Sequence, residues 1–167
     1  MNRRDLLKSV AAAAVVRAQS PDWKPALFDS HQDETVIALT DLIIPATDTP
    51  GAKAAQVNRF LDLLLSESPV EEQRRFQQGL AWLDAYARRT HGVPFVRCPA
   101  EQQTALLRTL DPQGNPAGEL RPGTRFFQDL KGRTVAAYYS SKIGVDELNK
   151  GGRVPASFGC THGGHSV

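Results

Sequence analysis

The sequence predicts an all-α fold, a small bundle of about five helices joined by long loops rich in proline and glycine. Two observations support this prediction. Apolar residues recur every three or four positions in five segments, and no segment alternates apolar and polar residues over the length of a strand. Prolines and glycines separate the five segments, as they do at helix ends. Residues 19–167 are of the length of a single domain.

The first predicted helix follows a leader, residues 19–28, that contains prolines and has no helical periodicity. Ser30 or Asp33 can cap this helix, and the proline at position 45 ends it. Its apolar face is predicted to consist of Val36, Leu39, Leu42 and Ile43. Residues 45–52 then read Pro-Ala-Thr-Asp-Thr-Pro-Gly-Ala, a composition typical of a turn.

Two further helices follow this turn. The second runs to about Ser66, and the third begins near Pro69, a residue suited to the first helical position. His91 and Gly92 end the third helix. The apolar face of the second is predicted to be Val57, Phe60, Leu61 and Leu64, and that of the third Phe76, Leu80, Leu83 and Ala87. Glu71, Glu72, Arg74 and Arg75 are expected on a solvated face.

The fourth and last predicted helices complete the bundle. A short extended link, residues 93–98, leads to a fourth helix that starts at about Pro99 and carries Leu106, Leu107 and Leu110. The longest loop covers residues 111–123, and the last helix runs from about Thr124 to Ser141. Its inward residues are predicted to be Phe126, Phe127, Leu130 and Val135. A glycine-rich tail follows.

Residues 1–18 have the features of an export signal. Arg3 and Arg4 precede two leucines and a lysine, an apolar stretch runs from Val10 to Val16, and a small residue stands at position 18. The paired arginines indicate the twin-arginine type, which carries folded proteins, commonly with a bound cofactor. The apolar stretch is shorter than the roughly 20 residues that a membrane span needs. We therefore expect a periplasmic protein exported through the twin-arginine translocase.

The charge of the chain depends on this signal. Residues 1–18 hold four basic side chains and one acidic side chain, so without them the net charge falls from +2 to about −1. The remaining chain therefore gives no reason to expect nucleic acid or an anionic membrane surface as a partner. It has no second long apolar run, so membrane association is expected only through partners.

The chain lacks the motifs that mark a cofactor site or a catalytic site. There is no Gly-x-Gly-x-x-Gly, no Cys-x-x-Cys-His and no Gly-x-Ser-x-Gly, and two cysteines are too few to hold an iron–sulfur cluster. We expect no cofactor and no catalytic residue in this chain. An export route suited to proteins that already hold their cofactor then implies that a partner binds the cofactor.

The two cysteines admit two interpretations. In an oxidising compartment Cys98 and Cys160 can form a disulfide that closes a loop of about 60 residues and tethers the tail, worth about 4 kcal/mol. Alternatively, Cys160, His162 and His165 have a spacing that could hold zinc or copper, which would make the chain an autonomous periplasmic metal-binding protein. The two glycines between the histidines favour the disulfide.

Two tyrosines stand next to each other on the last predicted helix. Tyr138 and Tyr139 point about 100° apart on a helix, so one can lie in the core while the other faces a groove or a partner.

Several segments together carry a family resemblance. They are the twin-arginine start, residues 42–52, the Tyr138-Tyr139-Ser140 segment and the terminal Gly-Cys-Thr-His at residues 159–162. The chain resembles the small subunit, subunit 3, of membrane-bound gluconate 2-dehydrogenase, also known as the gamma subunit of flavin-dependent glucose dehydrogenases. The resemblance covers nearly the whole chain. Family members often carry an acidic residue where this chain has Gly163 and Gly164.

The resemblance implies partners that hold the missing cofactors. The large subunit would be a flavoprotein of the glucose–methanol–choline type that holds FAD and oxidises a sugar or alcohol. A multihaem cytochrome c with c-type haem would anchor the complex at the inner membrane. The small subunit would be non-catalytic, would support folding of the flavoprotein and would provide its export signal. We expect the partner interface at Pro45, Thr47, Asp48, Thr49, Pro50, Gly51, Tyr138 and Tyr139.

Overall fold

The computed structural model describes residues 23–111 and 118–149, and these residues form helices and loops without a strand. They contain six α-helices: α1 Ser30–Ile43, α2 Val57–Ser66, α3 Val70–His91, α4 Ala100–Leu110, α5 Arg121–Ser140 and α6 Lys142–Leu148. The all-α prediction is therefore confirmed, and the expected number of about five helices was one too low. None of the helices in these two ranges combines the length and the apolar character that crossing a membrane requires.

The additional helix, α6, follows α5 after a single residue. Ser141 has an extended backbone that ends α5, and its hydroxyl accepts a hydrogen bond of 3.1 Å from the Gly144 amide. The same serine therefore ends one helix and caps the next. The sequence signal was weak because α6 has only seven residues.

Two predicted helix starts and two predicted loop segments differ from the structure. The N-cap of α1 is Asp29, which forms a reciprocal capping box with Gln32, rather than Ser30 or Asp33. Helix α5 begins at Arg121, because Pro122 fits the first helical turn. The predicted loop at residues 111–123 accordingly ends in a 3₁₀ turn, Gly118–Leu120. The predicted extended link before α4 contains another, Phe95–Arg97.

The core lies where α3 packs against α5, and α1, α2 and α4 surround this pair. The predicted inward residues of α3 and α4 are all buried. Three aromatic rings run through the core: Phe28 stacks on Phe76 with centroids 5.7 Å apart, and Phe76 meets Phe126 edge-on at 5.3 Å. The residues before α1 therefore belong to the same core as α3 and α5.

The buried face of α2 differs from the prediction. Val57 and Leu61 are buried as expected, together with Leu65 and two polar residues, Asn58 and Asp62. The side chains of Phe60, Leu63 and Leu64 are 45%, 60% and 42% exposed. Val135 of α5, expected to point inward, is also exposed.

Candidate functional site

The predicted partner residues of the turn and of α5 lie together, in what we call the turn–tyrosine cluster: residues 45–52, Tyr138, Tyr139 and Glu147. The Ala52 amide donates a hydrogen bond of 2.8 Å to the Ile44 carbonyl, which closes the turn. A Cβ on Gly51 would stand only 2.5 Å from the Ala46 nitrogen and 2.6 Å from the Ile44 oxygen. The turn therefore requires glycine at this position, because backbone atoms occupy the space of a side chain.

Tyr138 joins the turn to α5 and α6. Its side chain is 1% exposed, and its hydroxyl donates a hydrogen bond of 2.6 Å to the Pro50 carbonyl. The Glu147 carboxylate lies within hydrogen-bonding distance of the same hydroxyl, whose single proton is shared between the two acceptors, and it accepts a further bond of 3.2 Å from the Thr49 hydroxyl. Gly144 lets α6 approach, since a Cβ there would stand 2.1 Å from the Tyr138 carbonyl oxygen. The turn, which lies almost 90 residues earlier in the chain, thus meets α5 and α6 at one phenol.

The surroundings of Tyr138 stabilise its neutral form. Burial, followed by the hydrogen bond and the negative charge of Glu147, raises the pKa of Tyr138 to about 12. The phenol therefore acts as a fixed hydrogen-bond donor throughout the physiological range.

The outer surface of the cluster is available to a partner. Pro45, Thr47, Asp48 and Pro50 are exposed, and Thr49 is half-buried. Tyr139 is 40% exposed, and its ring meets the Tyr138 ring edge-on at 5.2 Å. The prediction that one tyrosine is buried and the other outward is confirmed. The assignment of this surface to a partner stays a prediction.

A second feature, missed by sequence reasoning, is the buried carboxylate of Asp62 on α2. It accepts three backbone hydrogen bonds from the leader: from the amides of Ala26 at 2.6 Å, Leu27 at 3.0 Å and Phe28 at 2.9 Å. Asp62 is 2% exposed. The polar residue therefore fixes the chain just before α1, and we call residues 23–29 together with Asp62 the leader seat.

Further contacts reinforce the leader seat. The guanidinium of Arg59 lies 4.9 Å from the centre of the Trp23 ring, a cation–π contact. The Asn58 amide donates to the Asp33 carboxylate at 2.9 Å. Burial, and to a smaller extent the charge of Asp62, raises the pKa of Asp33, against the lowering effect of the Asn58 bond. The leader is thus held at both ends of its described part.

Asp84 of α3 contacts the N-terminal turn of α1 through His31. Its carboxylate accepts a hydrogen bond of 3.0 Å from the Phe95 amide and pairs with the His31 ring. Arg88 approaches it to 3.6 Å. The arrangement connects α1, α3 and the 3₁₀ turn before α4.

Cys98 lies close to this group and forms no disulfide within the described residues. Its thiol is buried and donates weakly to the Pro94 carbonyl at 3.6 Å. Burial, with a smaller effect of the Asp84 charge, raises the pKa of the Cys98 thiol. Cys160 lies outside the described residues, so the disulfide-tethered tail is not supported by the structure and stays a prediction.

A groove with a volume of about 740 Å³ lies between α3 and α5. Its floor is aromatic, formed by Phe76, Trp82 and Phe126, and its rims carry four arginines: Arg75, Arg121, Arg125 and Arg133. The sequence did not predict this groove, because Arg75 was expected on an ordinary solvated face.

No other predicted site residue can be located. Arg3, Arg4, His162 and His165 lie outside the described residues, so the export signal and the metal-binding alternative stay predictions. Within residues 23–111 and 118–149 no three His, Cys, Asp or Glu side chains are grouped as a metal site would require.

These features define a small helical domain in which the buried polar groups described above hold its own leader, turn and helices together. In a comparison with protein families, the family described as gluconate 2-dehydrogenase subunit 3 matches residues 30–152 of this domain. The chain belongs to this family, and its place is that of a small subunit in a gluconate 2-dehydrogenase-type oxidoreductase complex. Comparisons with curated proteins and with solved structures find no match.

Proposed function

We propose that this chain is the non-catalytic small subunit of a periplasmic sugar or alcohol dehydrogenase, and that it supports folding and twin-arginine export of an FAD-dependent partner of the glucose–methanol–choline type. A multihaem cytochrome c would take the electrons and hold the complex at the inner membrane. Membership of the subunit 3 family is the observation that carries the proposal.

The leader seat supports the export part of the proposal. An export signal acts for a bound partner only if it stays attached to the domain that holds the partner. The three backbone hydrogen bonds to Asp62 fix the chain at residues 26–28, a few residues after the signal-like segment. The domain thus holds the chain in place at residues 26–28, eight positions after the end of the signal-like segment.

The turn–tyrosine cluster supports the assignment of a partner surface. Its inner atoms are held by Tyr138 and Glu147, so the outer residues of the turn keep a fixed shape. A rigid, exposed surface loses little conformational entropy on binding.

Export is tested by fractionating cells that produce both subunits. With Arg3→Lys and Arg4→Lys combined, we expect the flavoprotein, as well as this chain, to stay in the cytoplasm, because the twin arginines would serve both. Deletion of this chain should have the same effect. Arrival of the flavoprotein in the periplasm in either strain would refute the export proposal.

The turn–tyrosine surface is tested by replacing Asp48 and Tyr139 with alanine together. We expect at least a tenfold loss of co-purified flavoprotein, because both side chains are exposed on the proposed contact. Val145→Ala is the control, since Val145 is exposed on α6 outside the predicted contact. Unchanged co-purification with the double variant would remove this surface from the interface. The subunit purified alone should have no dehydrogenase activity.

A further inference from the structure

The groove between α3 and α5 is lined by more arginines than acidic side chains. Arg133 pairs within the groove with both Glu72 at 2.5 Å and Asp129 at 2.8 Å, so four arginines against these two carboxylates leave the groove a net charge of about +2. Arg75, Arg121 and Arg125 form no ion pair with any residue in the described parts of the chain.

The floor of the groove is apolar because two glycines admit large rings. A Cβ on Gly123 would stand 1.9 Å from the Trp82 ring, and a Cβ on Gly79 would stand 2.1 Å from the Phe126 ring. Trp82 also stacks on Tyr86 with ring centres 5.1 Å apart, which fixes its plane. The groove thus combines a preformed aromatic floor with cationic rims.

The spread of charge along the groove favours an extended ligand over a compact anion. The lining residues extend from Glu72 to Trp82 on one wall and from Arg121 to Arg133 on the other, about 15 to 18 Å at 1.5 Å per helical residue. Arg75 is on one wall, and Arg121 and Arg125 are one helical turn apart on the other. An extended segment of about five residues has this length.

The parts of this chain outside the described residues do not suit the groove. Residues 150–167 contain no Asp or Glu, residues 112–117 carry no charge, and residues 1–22 hold four basic against two acidic side chains. A complementary ligand must therefore come from another molecule.

We propose that the groove binds an acidic segment of the flavoprotein subunit, one that inserts an apolar side chain between Trp82 and Phe126 and pairs its carboxylates with Arg75, Arg121 and Arg125. This inference rests on the proposed function, because it names how the same partner is recognised. Carboxylate–arginine pairs of this kind provide orientation and specificity in addition to affinity.

Charge reversal tests the proposal in the co-expressed complex. We expect Arg75→Glu with Arg125→Glu to lower at least tenfold the amount of flavoprotein that co-purifies with this chain. Arg74→Glu with Arg97→Glu is the matched control, since it changes the net charge equally at exposed positions outside the groove and should stay within twofold of wild type. Circular dichroism verifies that both variants fold.

This experiment distinguishes failure of the groove proposal from failure of the proposed function. If the wild-type chain captures the flavoprotein and the groove variant captures it equally well, the groove proposal is refuted and the proposed function stands. If the wild-type chain captures no flavoprotein, the proposed function fails, and the groove proposal fails with it.

A photo-crosslinking residue at Gln78, which lines the groove, identifies the occupant. We expect a crosslink to a flavoprotein peptide with at least two Asp or Glu residues flanking an apolar one. A crosslink to a second copy of this chain, to a peptide without acidic residues, or to no protein in an intact complex would overturn the proposal.

Discussion

Replacing Asp62 with asparagine should loosen the leader seat while leaving the helices in place. Asparagine has nearly the same shape, and its single oxygen can still accept from Leu27 and Phe28 at the position of Oδ1. The amide nitrogen would take the place of Oδ2, which accepts the shortest of the three bonds, 2.6 Å from the Ala26 amide. Two donors would then face each other in a buried location.

The expected cost follows from the chemistry of these bonds. Hydrogen bonds to a charged group contribute about 1.5–3 kcal/mol each, and an unsatisfied buried donor costs about 1–3 kcal/mol. Asp62→Asn loses one bond and the charge, so the free energy of unfolding should fall by about 2–3 kcal/mol. Asp62→Ala loses all three acceptor contacts and should cost about 4–5 kcal/mol. For a domain of ordinary stability this is a large fraction of the total.

Two measurements check this prediction. Urea denaturation gives the change in the free energy of unfolding, and amide hydrogen exchange reports the protection of residues 26–28. The exchange of these three amides should accelerate in Asp62→Asn more than that of core amides in α3. Glu34→Gln, at an exposed position of α1, is the control and should change stability by less than about 0.5 kcal/mol. An Asp62→Asn protein of wild-type stability, with residues 26–28 still protected, would refute the anchoring role of the carboxylate.

Other predictions concern the turn–tyrosine cluster and the cysteines. Gly51→Ala should destabilise the chain by about 3 kcal/mol or more in thermal unfolding, because backbone atoms occupy the space of the Cβ. Gly132→Ala, on an open helical face, is the control and should stabilise the chain by about 1 kcal/mol. Similar effects of the two substitutions would contradict this reasoning. The raised pKa of Tyr138, about 12 against an ordinary value of 10, stabilises the fold fully below pH 10, and this contribution is lost as the pH rises through 12. Stability measured over this range should therefore fall more steeply for the wild type than for Tyr138→Phe, and equal slopes would show that the phenol is not coupled to folding. In the exported protein, denatured without reductant, Cys98 and Cys160 should give no reaction with a thiol reagent, and two reactive thiols would refute the disulfide.

The sequence predicted helices best where the apolar residues lie on a single face and a glycine or proline marks the helix boundary. Helices α3 and α4 were placed nearly correctly, because their apolar residues lie on a single face and because Gly92 and Pro99 mark their boundaries. Gly92 has a φ of 79°, a backbone conformation that glycine adopts without strain. These signals are local, so they can be read from a few neighbouring residues.

Helix α2 shows where periodicity alone fails. Its apolar residues occupy more than one face, and the row containing Phe60 and Leu64 was taken to be the inner one. The buried row instead contains Asn58 and Asp62, because their partners are donors and acceptors from outside the helix. Asp62 binds residues 34 to 36 positions earlier in the chain. No pattern within ten residues of Asp62 could reveal that its carboxylate is satisfied in the core.

The groove escaped prediction for a related reason. Arg75 belongs to α3, Arg121 and Arg125 belong to α5, and only the packing of the two helices brings them to one surface. On either helix alone, such residues are typical of a solvated face. The turn–tyrosine cluster was predictable in its members because both segments are unusual in composition, but the link through Glu147 required a helix that the sequence did not indicate.

The position of the leader seat makes the anchoring of residues 26–28 depend on folding. Asp62 is provided by α2, and the Phe28 ring stacks on Phe76 of α3, which in turn packs against Phe126 of α5. Since these helices meet only in the assembled bundle, residues 26–28 find their hydrogen-bond acceptor and their aromatic neighbour together only there. A chain whose bundle has not formed would leave the leader unattached. For the export proposed above, such a dependence would link the presentation of the proposed signal to the folded state of this domain.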